Sequence, residues 1–126
     1  FIKNESIYKL KEKGIEIHAR SIFLQGLLLQ KSSKWPKYLS KEFKHHHNNF
    51  YKSLNNDMDN IFTKILSFQN SIEELDSVII GVTNSKELKQ IATIWNDLNK
   101  KNTNERYFSK WSWSNINDID PRIWNK

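Results

Sequence analysis

Two stretches of this chain carry residue types that suit ligand chemistry. The first is the apolar run 21–29, interrupted by Gln25 and Gly26. A glycine-containing loop after a strand lets backbone approach a ligand closely. The second is Gly81-Val82-Thr83-Asn84-Ser85, which precedes a helical pattern. A helix start exposes unpaired N–H groups and the positive end of its dipole, so it suits an anion. His45-His46-His47 invites a metal reading. However, consecutive helical residues point ~100° apart, and metal-binding histidines on a helix are spaced i, i+4. No metal site is therefore expected. Asp57, Asp59, Asp118 and Asp120 read as caps and turn residues. Trp35, Trp111, Trp113 and Trp124 read as packing anchors rather than base-stacking platforms.

The elements that would hold these groups follow from periodicity. Ile7, Leu10 and Lys11 fit a helix end, with Gly14 as its stop. Residues 15–20 alternate apolar and polar, which predicts a strand with Ile15, Ile17 and Ala19 on one face. Glu16, His18 and Arg20 then share the other. Residues 31–37 form a polar loop around Trp35-Pro36. Ser40 caps a helix with Phe43, His47, Phe50 and Leu54 on its apolar face, broken at Asn55-Asn56. Asp57 caps a second, with Met58, Ile61, Phe62, Ile65 and Leu66. Val78-Ile79-Ile80 is a continuous β-branched run, the mark of a strand buried on both faces. Thr83-Asn84-Ser85 then starts a helix with Leu88, Ile91, Ala92, Trp95 and Leu98 in one stripe. Residues 99–126 read as an irregular tail docked through its tryptophans.

Composition sets bounds on the function. The chain has 126 residues, 20 basic against 14 acidic, for a net charge of +6, and no cysteine. That removes disulfides, thiolate nucleophiles and cysteine-held zinc. The lysines are scattered rather than clustered, so a solvated basic surface is favoured over a nucleic-acid footprint. No apolar run approaches the ~20 residues of a membrane span, and no signal peptide is visible. A soluble, cytoplasmic protein is expected. The chain begins at Phe1 rather than Met, which suits a processed chain or a piece of a longer one.

Two segments resemble one family. Residues 14–28, Gly-Ile-Glu-Ile-His-Ala-Arg-Ser-Ile-Phe-Leu-Gln-Gly-Leu-Leu, resemble the seventh strand and following loop of the aldo/keto reductases. Residues 76–88, Asp-Ser-Val-Ile-Ile-Gly-Val-Thr-Asn-Ser-Lys-Glu-Leu, resemble their eighth strand and cofactor loop. The two occur in the family's order and spacing. The resemblance implies an α/β fold, the C-terminal part of a (β/α)8 barrel. Two parallel strands with flanking helices would occupy 1–98, an incomplete domain needing the upstream half of the barrel, and 99–126 would be the tail.

The resemblance further implies an NADPH-dependent oxidoreductase, with NADH possible, that reduces a small carbonyl substrate. Its catalytic tetrad has no counterpart in this chain. Nicotinamide-cofactor contacts are implied at Arg20, Ser21, Phe23, Gln25, Gly26, Gly81, Val82, Thr83, Asn84, Ser85, Glu87 and Gln90. Several positions depart from the family. Arg20 replaces a tyrosine that stacks on nicotinamide; it can lie on the ring, hold an acidic substrate group, or pair with Glu16. Ile22 replaces proline, Glu87 replaces glutamine or arginine, and Gln90 replaces glutamate. Ile91 stands where an asparagine often contacts adenine. No arginine matches the one that grips a 2′-phosphate, though Lys86 and Lys89 are near. The alternative is a basic helical module for nucleic acid or an acidic partner, and a third reading is an inactive interaction protein of the same fold. Loop 30–39 and the tail are where substrate or subunit contacts are expected.

Overall fold

Glycine and asparagine end two of the helices, and both ends follow one rule. Helix α1 (Glu5–Glu12) stops where Gly14 turns left-handed at φ 70°. The Ile15 amide then bonds Leu10 O at 3.1 Å and the Gly14 amide bonds Lys11 O at 2.9 Å, a Schellman ending. Helix α2 (Lys41–Ser53) ends alike, with Asn56 bonded to Tyr51 O at 3.0 Å and Asn55 to Lys52 O at 3.1 Å. Asn55 and Asn56 take φ of 56° and 53°, which asparagine tolerates better than most residues.

These elements belong to a computed structural model that describes residues 5–98 and 105–124. Between α1 and α2 lie strand β1 (His18–Ala19) and two 3-10 turns, Leu27–Leu29 and Ser32–Lys34. Then follow α3 (Met58–Asn70), β2 (Ser77–Val78), α4 (Ser85–Asp97), α5 (Glu105–Lys110) and α6 (Ile116–Ile119). The caps follow their chemistry. The Ser40 hydroxyl accepts from the Phe43 amide at 3.1 Å and Asp57 from the Asn60 amide at 3.0 Å. Asn84 accepts from the Glu87 amide at 2.8 Å.

The expectation of an α/β barrel segment is not met. The molecule is mostly helical, and the one sheet among the described residues is a two-strand parallel pair. Its ladder matches His18 with Ser77 and Ala19 with Val78. Parallel pairing between the two resembling stretches is present, but each strand is only two residues long. A β-branched run forms long strands only where neighbours cover it. Here Ile79 is 54% exposed and Ile15 44%, so neither run is buried on both faces. The tail contains two short helices, α5 and α6.

The chain forms two compact units. One comprises residues 5–22 and 65–98, the other residues 23–64 and 105–124. The first holds α1, the strand pair and α4. The apolar stripe of α4 exists, yet only Ile91 is buried and Leu88 is 48% exposed. The second holds α2, α5 and α6 around a core of Leu27, Trp35, Leu39, Phe43 and Trp124. Leu24, Trp113 and Ile119 pack against that core. No described helix is long and apolar enough to cross a membrane.

Candidate functional site

In the first unit the strand pair has two chemically different ends. At the amino ends, the Asp76 carboxylate accepts from the Ile17 amide at 2.8 Å and from Lys11 Nζ. The Asp76 amide in turn donates to Ile17 O at 2.9 Å. The Lys11 bond, then the Ile17 amide, hold the Asp76 carboxyl below its usual range. Glu12, Glu73 and Glu74 share a shallow hollow there with Tyr8 and Lys11.

The carboxyl ends carry the predicted site residues. The Ile79 amide donates to Ala19 O at 2.8 Å, so Arg20 leaves β1 beside the start of the loop at 80–84. Arg20 is exposed, and its guanidinium has no partner among the described residues. Pairing with Glu16 is not realised, because Glu16 faces His18 Nε2 at 3.3 Å. Ser21 is exposed with φ 57°. Gly81, Val82, Thr83, Asn84 and Ser85 are all exposed and lead into α4.

The start of α4 is partly satisfied by its own side chains. The Asn84 carboxamide takes the Glu87 amide. The Glu87 carboxylate accepts from the Thr83 amide at 2.9 Å and the Thr83 hydroxyl at 3.1 Å. Each of these contacts engages a donor that an anion would otherwise use, and Glu87 adds negative charge. The amides of Ser85 and Lys86, first and second in the helix, remain open among the described residues. Lys86 adds a cation to them. Around Gly81 a Cβ would meet nothing within 4 Å. A dinucleotide phosphate therefore suits Ser85 and Lys86 and does not suit Thr83. Gln90 is half-buried and engaged with a partner.

The remaining predicted contacts, Phe23, Gln25 and Gly26, fall in the second unit. Phe23 is buried and meets the Phe62 ring edge-on at 5.5 Å. Gln25 is exposed at φ 54°. Gly26, at φ 83°, starts the turn Leu27–Leu29. A Cβ there would meet nothing within 4 Å, so the backbone angle rather than space calls for glycine.

The second unit also buries a carboxylate that the sequence offered only as a cap or turn residue. Asp118 is 2% exposed. Its Oδ1 accepts from the Ser40 amide at 2.9 Å. Its Oδ2 accepts from the Ser40 hydroxyl at 2.7 Å and from Trp113 Nε1 at 3.0 Å. The only local signal was an acid between Ile116 and Ile119, five residues after Trp113. Its neighbour Asp120 instead grips Arg122 through both carboxylate oxygens, at 2.9 and 2.6 Å. The Arg122 guanidinium holds the Asp120 carboxyl down at about 2.

The histidine triplet divides its roles. His46 donates to Trp111 O at 3.1 Å, and His47 donates to Gln30 O at 3.0 Å. His47 stacks on Trp35 with centroids 4.4 Å apart. Burial lowers its pKa to about 4, with the His46 charge assisting and the Gln30 bond opposing. Among the described residues, no three His, Asp or Glu side chains come together in a way that could hold a metal ion. Comparison of the chain with protein-family models, curated proteins and solved structures found no match.

Proposed function

We propose that this chain supplies part of the cofactor site of a carbonyl-reducing oxidoreductase that uses NADPH or NADH. The observation that carries the reading is the parallel pairing of β1 with β2. It puts Arg20, Ser21 and the loop from Gly81 to Ser85 at one end of one small sheet. Those are the stretches in which the sequence resembles the aldo/keto reductases. Ligands of parallel sheets lie beyond the carboxyl ends of the strands.

In this reading the open Ser85 and Lys86 amides and the Lys86 ammonium hold a phosphate of the dinucleotide. Ile79 and Val82, 54% and 36% exposed, offer apolar surface to a ring. When bound, the nicotinamide supplies a hydride equivalent to a carbonyl carbon. The group that protonates the carbonyl oxygen lies outside these 126 residues, since no residue here matches the family's tetrad. This chain binds and orients.

The test is a fluorescence titration of the full-length protein with NADPH and NADH, read from its tryptophans. Saturable quenching that weakens in a Lys86→Glu variant is expected. Absence of quenching by either nucleotide at millimolar concentration would overturn the proposal.

A further inference from the structure

The strand pair is electrically lopsided. Its amino ends gather Glu12, Glu73, Glu74 and Asp76 around Lys11. Its carboxyl ends carry Arg20 and Lys86 against one acid, Glu87, and that acid is held by Thr83. Glu16, the acid four residues before Arg20 on the same alternating face, is turned to His18. The exposed Arg20 guanidinium has no carboxylate partner among the described residues.

The choice of arginine bears on its role. The chain has 17 lysines and three arginines, Arg20, Arg106 and Arg122. Lysine is the default cation of this sequence. Arg122 closes its fork on the carboxylate of Asp120. A planar fork of donors matches a carboxylate in a way an ammonium cannot. Arg20 has the same fork and no carboxylate partner among the described residues.

We propose that Arg20 is a specificity-determining residue that receives a carboxylate carried by the carbonyl substrate. The substrate class is then oxo acids or carboxylated aldehydes. This rests on the cofactor-site reading above and deepens it. The dinucleotide phosphate has its own donors at Ser85 and Lys86. Arg20, on the other strand, is left for the second anion.

The full-length protein distinguishes the two levels of the argument. NADPH affinity is measured first by tryptophan quenching, for wild type and for Arg20→Met and Arg20→Lys. Reduction of 4-carboxybenzaldehyde and of its methyl ester is then followed with saturating NADPH. Wild type is expected to prefer the acid. Arg20→Met should lower kcat/KM for the acid about 30-fold, the scale of a lost charge-assisted bond, with the ester nearly unaffected. Arg20→Lys should restore part of the loss. A wild type that treats acid and ester alike, turnover of neither included, overturns the carboxylate proposal. Equal losses on both substrates also overturn it. No NADPH quenching in wild type overturns the cofactor-site reading, and this proposal with it.

Discussion

The two units solve the problem of holding a chain together by different means. The second interlocks aromatic rings. Trp35 lies 4.9 Å from Phe43 and 4.4 Å from His47, and its indole N–H donates to Leu27 O at 2.9 Å. A buried carboxylate, Asp118, ties residues 40 and 113 together. The first unit has a two-residue ladder, exposed ion pairs such as Lys11–Asp76 and apolar side chains open to solvent, Ile15, Ile79 and Leu88 among them. Packed rings and buried hydrogen bonds resist opening, whereas exposed backbone bonds with few covering contacts do not. The difference teaches that the strand pair, whose carboxyl ends the proposed function assigns to a ligand, does little to stabilise the chain.

Breaking the packed unit should therefore have the largest effect. Trp35→Ala removes the central ring and its indole bond to Leu27 O, and should cost about 4 kcal/mol of unfolding free energy in a urea titration. A loss under about 1 kcal/mol would mean that the aromatic core does not carry this unit. Next comes Asp118→Ala, which leaves three donors without their acceptor. A loss of about 2–3 kcal/mol is expected, with a smaller one for Asp118→Asn, which keeps one acceptor oxygen. Equal stability of the alanine variant would contradict the buried hub.

His47 gives a pH handle on the same unit. Its pKa is about 4 when folded and 6.5 when free, so the unfolded chain binds the proton first. The stability from neutral His47 is whole above about pH 6.5 and falls as the pH drops toward 4. Taking the protein from pH 7 to 5 should cost about 2 kcal/mol through this group. His47→Gln keeps a donor toward Gln30 O and should flatten that slope. An unchanged slope would locate the acid sensitivity elsewhere.

The smallest effect belongs to the first unit. Lys11→Met removes the partner of Asp76, whose carboxyl is held below its usual range, so the pair stabilises at neutral pH and fades as Asp76 protonates. Exposed pairs contribute little and are screened by salt. A drop in Tm smaller than any above, vanishing in high salt, is expected. A large drop that salt leaves intact would erase the contrast between the units.

Local chemistry was legible in the sequence, and distant chemistry was not. Ser40, Asp57 and Asn84 announced their helices because capping involves residues three apart. The apolar spacing of α2 and α3 and the breaks at Gly14 and Asn55-Asn56 were equally readable. The strands were misjudged in extent, because a run such as Val78-Ile79-Ile80 records what a strand would bury, not whether anything covers it. Asp118 was read as a turn residue. Its main partner, Ser40, is 78 residues away, and no pattern in either segment points to the other. The candidate residues on the strand pair came from the resemblance alone, while the capping of Thr83 by Glu87 needed coordinates.

Amide hydrogen exchange, followed residue by residue with and without NADPH, tests the central claim most directly. Binding at the carboxyl ends of β1 and β2 predicts slower exchange at Ile79, Gly81, Ser85 and Lys86, with the amides of α2 unchanged. Protection confined to α2, or none at any of these positions under saturating nucleotide, would contradict the account.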